Sequence, residues 1–298
     1  MSLDQKKTIL ITGINGFLGS HLARKLFSYY NIIGLENSPT ELFRLNGISC
    51  KMYFSKEIGL EEIFKEIELY AILHTATIYK KTTDSLEVLL RSNLLLPIKL
   101  FELAQKYKVD RFINTDTFYN DNNLKYSYLA EYTLSKKHAL EWLQSISDKC
   151  KLINMKIFHM YGPNDSLHKF VPSIIKSLME NTPFINLTPG EQMRDFIYID
   201  DVVEAYRIIL NVPDLVNGNF MEFEVGTGNT ISIKDFVILI KEITGSKTEL
   251  RFGALPYRKN EIMEAKANNL SLVSLGWNPR FTIEAGLNSQ IKKENKII

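Results

Sequence analysis

The sequence predicts an α/β protein: a doubly wound parallel sheet, followed by a smaller C-terminal substrate-binding region. Three observations carry this. Short apolar runs alternate with longer stretches of helical period through residue 158. The runs are continuously apolar, as strands covered on both faces are. A glycine-rich turn joins the first run to the first helical stretch. Such alternation implies right-handed crossovers that place helices on both sides of one sheet.

In chain order, strands are expected at 8–12 (TILIT), 31–36 (NIIGLE), 50–54 (CKMYF), 71–76 (AILHTA), 111–116 (RFINTD) and 152–158 (LINMKIF). Helices are expected over FLGSHLARKLFSYY, GLEEIFKEI, SLEVLLRSNLLLPIKLFELAQKYK and YTLSKKHALEWLQSIS. Pro97 lies inside the third of these and is expected to kink it or split it, because proline removes a helical donor. After Gly162 the rhythm changes. YGPNDSLHK precedes a helix (FVPSIIKSLMEN), a turn-rich stretch, a strand-helix unit (RDFIYIDDVVEAYRIIL) and FEVGTGNTISIKDFVILIKEITG.

Composition narrows the function. A chain of 298 residues, 45% hydrophobic and 23% charged, can bury a sizeable core. Its 36 basic and 34 acidic residues are interspersed and leave a net charge of +2, so no electrostatic footprint for nucleic acid is present. No apolar run has the length of a membrane span, and the N-terminus enters a strand directly without a signal-peptide pattern, so a cytoplasmic location is expected. Two cysteines, Cys50 and Cys150, are too few for a disulfide framework, and the five histidines lack ligand spacing, so no metal is expected.

The first strand ends in TGINGFLGSHLARKL, with Gly13, Gly16 and Gly19 spaced G-x-x-G-x-x-G. A phosphate at a helix N-terminus needs exposed backbone N–H groups and no side chain in the way. Gly13, Asn15, Gly16, Phe17, Leu18 and Gly19 form the expected cradle. Glu36, at the end of the second strand, is placed to accept hydroxyls of an adenosine ribose. Residues 1–162 therefore read as an NAD(P)-binding Rossmann domain. Residues 163–298 read mainly as the substrate-binding region, with segments around 194–225 returning to the first domain. The cofactor is NAD(H) or NADP(H); Glu36 favours NAD(H) because its carboxylate would repel a 2′-phosphate, and Arg44 nearby weighs against that preference.

Tyr132 and Lys136 stand one helical turn apart and share a face. A phenol near pKa 10 needs a neighbouring cation to exchange protons at neutral pH, and Lys136 is expected to supply it. Tyr132 is thus the acid/base candidate. Thr115 and Thr117 end the fifth strand, each with a hydroxyl. Arg194 and Arg258 are candidates for a diphosphate, since a guanidinium binds phosphate through paired hydrogen bonds, with Lys169 beside them.

With these motifs in hand, the chain resembles the extended short-chain dehydrogenase/reductase family that acts on nucleotide sugars. The pieces appear in order: TGINGFLG, LHTAT, Asn93, NTDTFYN, Tyr132 with Lys136, YGP, RDFIYIDDVV and LGWNP. Within the family it resembles the CDP-abequose and CDP-paratose synthases through FINTDTF, KIFHMYGP, LTPGEQMRDFIYIDDVV and NEIMEAKANN. The resemblance implies reduction of a 4-keto nucleotide sugar, with His74, Thr75, Ala76 and Asn93 on the cofactor beside Tyr132 and Lys136. It also implies that one of Thr115 and Thr117 bonds the substrate oxygen. It places His159 near the sugar diphosphate and implies a homodimer formed through the helices after the fourth and fifth strands. The related 4,6-dehydratases carry Thr-Asp-Glu where this chain has Thr115, Asp116 and Thr117; a threonine cannot serve as the base for elimination, while Asp116 is either a turn residue or a remnant of that chemistry. C4 epimerisation and a non-catalytic dinucleotide-binding role remain as alternatives. Tyr119, Tyr126 and Tyr128 read as rim or packing residues.

Overall fold

The computed structural model describes residues 6–39, 42–79, 85–121, 129–212 and 219–294. The chain divides into two compact units. One comprises Met1–Asn120, Leu129–Lys156 and Tyr206–Phe223; the other is chiefly Ile157–Ala205 and Glu224–Ile298.

The first unit is built in chain order from β1 (Thr8–Thr12), α1 (Phe17–Leu26), β2 (Asn31–Glu36), β3 (Lys51–Phe54), α2 (Leu60–Glu66), β4 (Ala71–His74), α3 (Leu86–Leu90), α4 (Leu96–Lys106), β5 (Arg111–Thr117), α5 (Ala130–Ser145) and β6 (Lys151–Ile157). A seventh strand, Phe220–Val225, lies at the edge beside β6, and the order from there runs β6, β5, β4, β1, β2, β3. The pairs β1–β2, β2–β3, β1–β4 and β4–β5 are parallel. The winding reverses between β1 and β4, and the crevice at their C-terminal ends is where such sheets bind ligands. Ile9, Leu10, Ile11, Ile72 and Leu73 are wholly buried, as the unbroken apolar runs required. Phe101 of α4 meets Phe112 of β5 edge to face at 5.3 Å between centroids, pinning that helix to the sheet.

Between α3 and α4 the helical run does not break at Pro97. Residues Arg91–Leu95 form one wide π turn, and Pro97 follows within the first turn of α4. Proline has no N–H to give the Asn93 carbonyl four residues back, and a wide turn accommodates the missing bond. The extra residue in this turn turns the Asn93 side chain into the protein, where it is buried.

In the second unit, β7 (His159–Tyr161) pairs in parallel with β10 (Phe196–Tyr198), and β9 (Met193–Arg194) lies between β12 (Ile231–Ser232) and β14 (Glu264–Ala265). A third small sheet joins β8 (Phe184–Leu187) to β13 (Glu249–Phe252). The helices are α6 (Phe170–Met179), α8 (Ile233–Thr244), α9 (Leu270–Ser274) and α10 (Ile283–Glu294). Phe196 stacks on Phe236 of α8 at 3.8 Å, and Tyr161 packs edge-on against both rings. The buried Asp195 carboxylate accepts from Thr227 N and Oγ1, Gly228 N and Ala267 N, at 2.7 to 3.2 Å. Gly226 is required beside it: a Cβ there would lie 2.7 Å from Asp195 Oδ2.

The edge strand Phe220–Val225 is β11, and helix α7 (Ile199–Asn211) precedes it. The last turn of α7 belongs to the first unit and ends on Arg111 of β5. That guanidinium donates to the carbonyls of Ile209, Leu210 and Val212 at 2.9, 3.3 and 3.2 Å. A cation at a helix C-terminus satisfies the orphan carbonyls and opposes the negative end of the dipole. Among the described residues no helix is long and apolar enough to cross a membrane, and no cluster of His, Cys, Asp and Glu could hold a metal.

Candidate active site

The glycine-rich turn forms the floor of the first unit's crevice. Gly13 has φ +63°, and a Cβ on it would lie 2.7 Å from Ala76 Cα and 2.9 Å from Ala76 N. At Gly19 a Cβ would come within 2.9 Å of Ile14 Cα. These positions bring the loop after β4 against the loop after β1 with no room for side chains. Gly16 caps α1 with no side-chain hydrogen bond, so no capping side chain stands over the helix N-terminus. Such a cradle suits a pyrophosphate.

Glu36 ends β2 with Oε1 accepting from Asn15 N at 2.6 Å. Burial raises its pKa, and the N–H groups of Asn15 and Asn37 oppose that. Arg44 donates to the Asn15 carbonyl at 3.3 Å, while Arg24 donates to the Arg44 carbonyl at 2.9 Å. Thus a guanidinium does approach the glycine-rich turn to which Glu36 is bonded, as the position of Arg44 in the sequence suggested.

Threonine 12 organises the loop after β4. Its hydroxyl accepts from Ala76 N at 3.1 Å and meets His74 Nδ1 at 2.9 Å, and its carbonyl accepts from Thr75 Oγ1 at 2.7 Å. Burial drives the His74 pKa well below its ordinary value, with the Lys136 cation adding to the effect, so the ring is neutral. His74 Nε2 has no partner among the described residues and is one buried polar atom in the crevice that a bound group would satisfy.

Asn93 acts as a clamp. It accepts from Ile78 N at 2.9 Å and Thr77 Oγ1 at 3.3 Å, and donates to Ile78 O at 2.9 Å and Ser135 Oγ at 3.2 Å. Its hydrogen-bonding capacity is taken up inside the protein. It therefore fixes the loop after β4 to α5 and is not free to bind the cofactor through its side chain.

Tyr132 and Lys136 are both buried on α5. Lys136 Nζ donates to the Thr115 carbonyl at 2.7 Å. Burial lowers its pKa to about 8, against the pull of the Asp116 carboxylate. The phenol of Tyr132 is held well above its ordinary value by burial, then by Tyr79 and Asp116, while a hydrogen bond from Thr117 works the other way. The expectation that Lys136 depresses this phenol is therefore corrected: desolvation outweighs any such field, and the Tyr132 phenol keeps its proton at neutral pH.

The two threonines separate. Thr117 is the neighbour that works to lower the Tyr132 pKa, whereas the Thr115 hydroxyl lies 2.7 Å from Tyr206 OH on α7. Between them, Asp116 is buried with both oxygens engaged: Oδ1 accepts from Thr117 N, and Oδ2 from Asn120 Nδ2 and Asn154 Nδ2, at 2.8 to 3.0 Å. Asn154 also accepts from Asn114 at 2.7 Å and donates to Glu222 at 2.8 Å, extending this polar row to β11. Asp116 is thus neither an exposed turn residue nor a free acid. Sequence reasoning missed Tyr79, whose ring stacks on Tyr132 at 4.5 Å and 27°.

In the second unit, Arg194 is buried and its Nη2 donates to Glu261 at 2.8 Å. Lys169 pairs with Asp165 at 3.1 Å, and Arg258 is exposed on the turn that leads to Glu261. His159 sits against Phe196, and burial with the Arg194 cation pushes its pKa down to about 3. It is uncharged at neutral pH and offers a diphosphate no positive charge. Tyr119 packs on Phe118; Tyr126 and Tyr128 lie outside the described residues.

Residues 9–226 match the NAD dependent epimerase/dehydratase family. The chain belongs to that family. It is accordingly an enzyme of the extended short-chain dehydrogenase/reductase type that uses a nicotinamide cofactor, and the glycine cradle, Glu36 and the unpartnered His74 nitrogen suit one. Similar relatives include CDP-abequose synthases from Salmonella muenchen, 36% identical, and Salmonella typhimurium, 34% identical; each alignment covers 97% of this chain and 98% of the relative. Among solved structures, the UDP-glucose 4-epimerase of Thermotoga maritima shares the fold with a TM-score of 0.82 at 24% identity, covering 97% of this chain and 99% of that one. The UDP-N-acetylglucosamine 4-epimerase of Methanobrevibacter ruminantium does so with a TM-score of 0.85 at 18% identity, covering 99% and 100%.

Proposed function

We propose that the protein is a nucleotide-sugar 4-ketoreductase acting on a CDP-linked 4-keto-6-deoxy- or 3,6-dideoxyhexose. The observation that carries this reading is that a hydroxyl, Thr117, and not a second carboxylate faces the Tyr132 phenol, while both oxygens of Asp116 are occupied by N–H donors. Elimination of water needs a free acid and base here; carbonyl reduction needs a proton donor and a hydrogen bond to the oxygen. The full-length similarity to CDP-abequose synthases supports the same reading and the choice of CDP.

When bound, the reduced nicotinamide supplies hydride to C4 of the sugar. Tyr132 gives its proton to the carbonyl oxygen, and Thr117 holds that oxygen by a second hydrogen bond. Thr115 is a structural residue of β5. Lys136, cationic below about pH 8, holds the field at this end of the sheet and would bind the nicotinamide ribose. Gly13, Asn15, Gly16, Phe17, Leu18 and Gly19 would hold the pyrophosphate, with Thr75 and Ala76 beside it. Arg194 and Arg258, assisted by Lys169, are assigned the substrate diphosphate; for Arg194 this requires exchange of Glu261 for phosphate.

We assign NAD(H) from Glu36, with Arg44 as the residue that would accept a 2′-phosphate if NADP(H) were preferred. The exposed Leu95, Leu134 and Trp142 on α4 and α5 and the turn before them support a homodimer through these helices. The test is to supply CDP-4-keto sugars with NADH or NADPH and follow cofactor oxidation against product. Stoichiometric oxidation is expected. Interconversion of C4 epimers without net cofactor oxidation would replace the reading with epimerisation.

A further inference from the structure

Each reduction consumes the Tyr132 proton, so a ketoreductase must return one before the next turnover. The phenol is poorly placed to take it from water: Tyr132 is 6% exposed. Its other neighbours are sealed as well. Thr117, Asp116 and Lys136 are all buried, Asp116 is saturated by donors, and Lys136 Nζ is turned onto the Thr115 carbonyl. Tyr79 differs. It is 42% exposed, its ring stacks on that of Tyr132 with centroids 4.5 Å apart and 27° between planes, and its phenol is close enough to raise the Tyr132 pKa. Its place is set from below, because Asn93 grips both backbone polar groups of the preceding Ile78.

We propose that Tyr79 is the proton-supply residue for Tyr132, carrying a solvent proton to the buried phenol after each reduction. The inference rests on the ketoreductase reading. In the reduction the Tyr132 O–H bond breaks as the O–H bond of the product alcohol forms, while hydride from the reduced cofactor makes the new C4–H bond. The Tyr132 phenolate then takes the proton of the Tyr79 hydroxyl, and the Tyr79 phenolate takes one from water. One reduced cofactor and one solvent proton are used per carbonyl. An epimerase, which regains the proton within its cycle, has no need of this path.

The test uses Tyr79→Phe, which keeps the stacked ring and deletes the hydroxyl. With tyrosine labelled at Cζ by carbon-13, hydroxyl exchange at Tyr132 is read from the deuterium isotope shift in mixed water, its signal assigned by its loss in Tyr132→Phe. In Tyr79→Phe this exchange is expected to slow by about tenfold or more, and the steady-state rate to fall by about 10- to 100-fold. The first turnover, which uses the resident proton, should keep the parent rate, giving a burst of one equivalent of oxidised cofactor. Small acids in the buffer should partly restore the steady state. Unchanged exchange, or a first turnover slowed as much as later ones, overturns the proposal. If exchange slows but the parent reduces no keto-sugar, the proton path stands and the ketoreductase reading falls. If the parent reduces the sugar and exchange is unaffected, only the path falls.

Discussion

Replacing Asp116 by asparagine should move the alkaline limb of the reaction to lower pH. Lys136 loses its proton at about pH 8 instead of 10.5, even with the Asp116 carboxylate beside it. At roughly 1.4 kcal/mol per pH unit, burial outweighs that carboxylate by about 3 kcal/mol. A neighbouring opposite charge typically shifts a buried group by about 1 to 3 pH units, so removing it should bring Lys136 to roughly pH 6.5. At pH 7.5 the protonated fraction would then fall from about three quarters to about one tenth, an eightfold loss of kcat/KM on order of magnitude. The sign of the stability term follows. A depressed lysine is charged in the unfolded chain and neutral in the folded one between its two pKa values, so its contribution to stability improves as pH rises from about 8 to 10.5, and below about 8 its full cost is present. In the variant the lower edge of that window drops. The new amide also faces the donors of Asn120 and Asn154, which costs about 1 to 3 kcal/mol of stability. For that reason the profile of kcat/KM from acid to alkaline pH, and not the melting temperature, is the deciding assay. A limb that stays at pH 8, or moves upward, refutes the electrostatic coupling.

Thr117→Val should lower kcat by about 100-fold, the scale of losing one hydrogen bond to a developing oxyanion, whereas Thr115→Val should cost about 1 kcal/mol of stability and leave kcat nearly unchanged. Steady-state kinetics with urea unfolding of both variants checks this, and the reverse ranking would transfer the catalytic hydroxyl to Thr115. Gly13→Ala should abolish NADH binding in a fluorescence titration, because the new methyl lies on Ala76. It should also cost at least about 1 to 2 kcal/mol for the left-handed backbone, so a variant that binds NADH normally would show that the two loops can part. Arg111→Met leaves three carbonyls at the end of α7 without a donor and should lose about 3 kcal/mol in denaturant unfolding; a loss within experimental scatter would mean that α7 ends equally well without its cation.

What was legible in the sequence is what short-range periodicity encodes. The six strands of the first half, the glycine cradle and the Tyr132–Lys136 pair each lie within one element or across one turn, where spacing alone fixes which face a side chain occupies. What was hidden depends on partners far along the chain. Thr115 and Thr117 could not be told apart until Tyr206, 91 residues on, was seen to occupy the first hydroxyl. Arg194 meets a carboxylate 67 residues away, which no local pattern announces. Pro97 signalled a local disturbance, yet not that the helix would absorb it with a wide turn and thereby bury Asn93. The Lys136 field failed as an account of the Tyr132 phenol because desolvation depends on what covers the ring, and periodicity does not report that.

The edge strand β11 bears on how the protein is made. It lies against β6, with Asn219 O accepting from Leu152 N and Glu222 taking both Asn154 and Lys156. During synthesis, β6 leaves the ribosome with one side unpaired and must wait for more than sixty further residues before its neighbour arrives. Over that interval a nascent chain with its first six strands assembled carries an open sheet edge able to recruit another copy. A chain stopped before Phe220 would therefore be expected to accumulate as aggregate, and slow translation between β6 and β11 would lengthen the period in which a chaperone is needed.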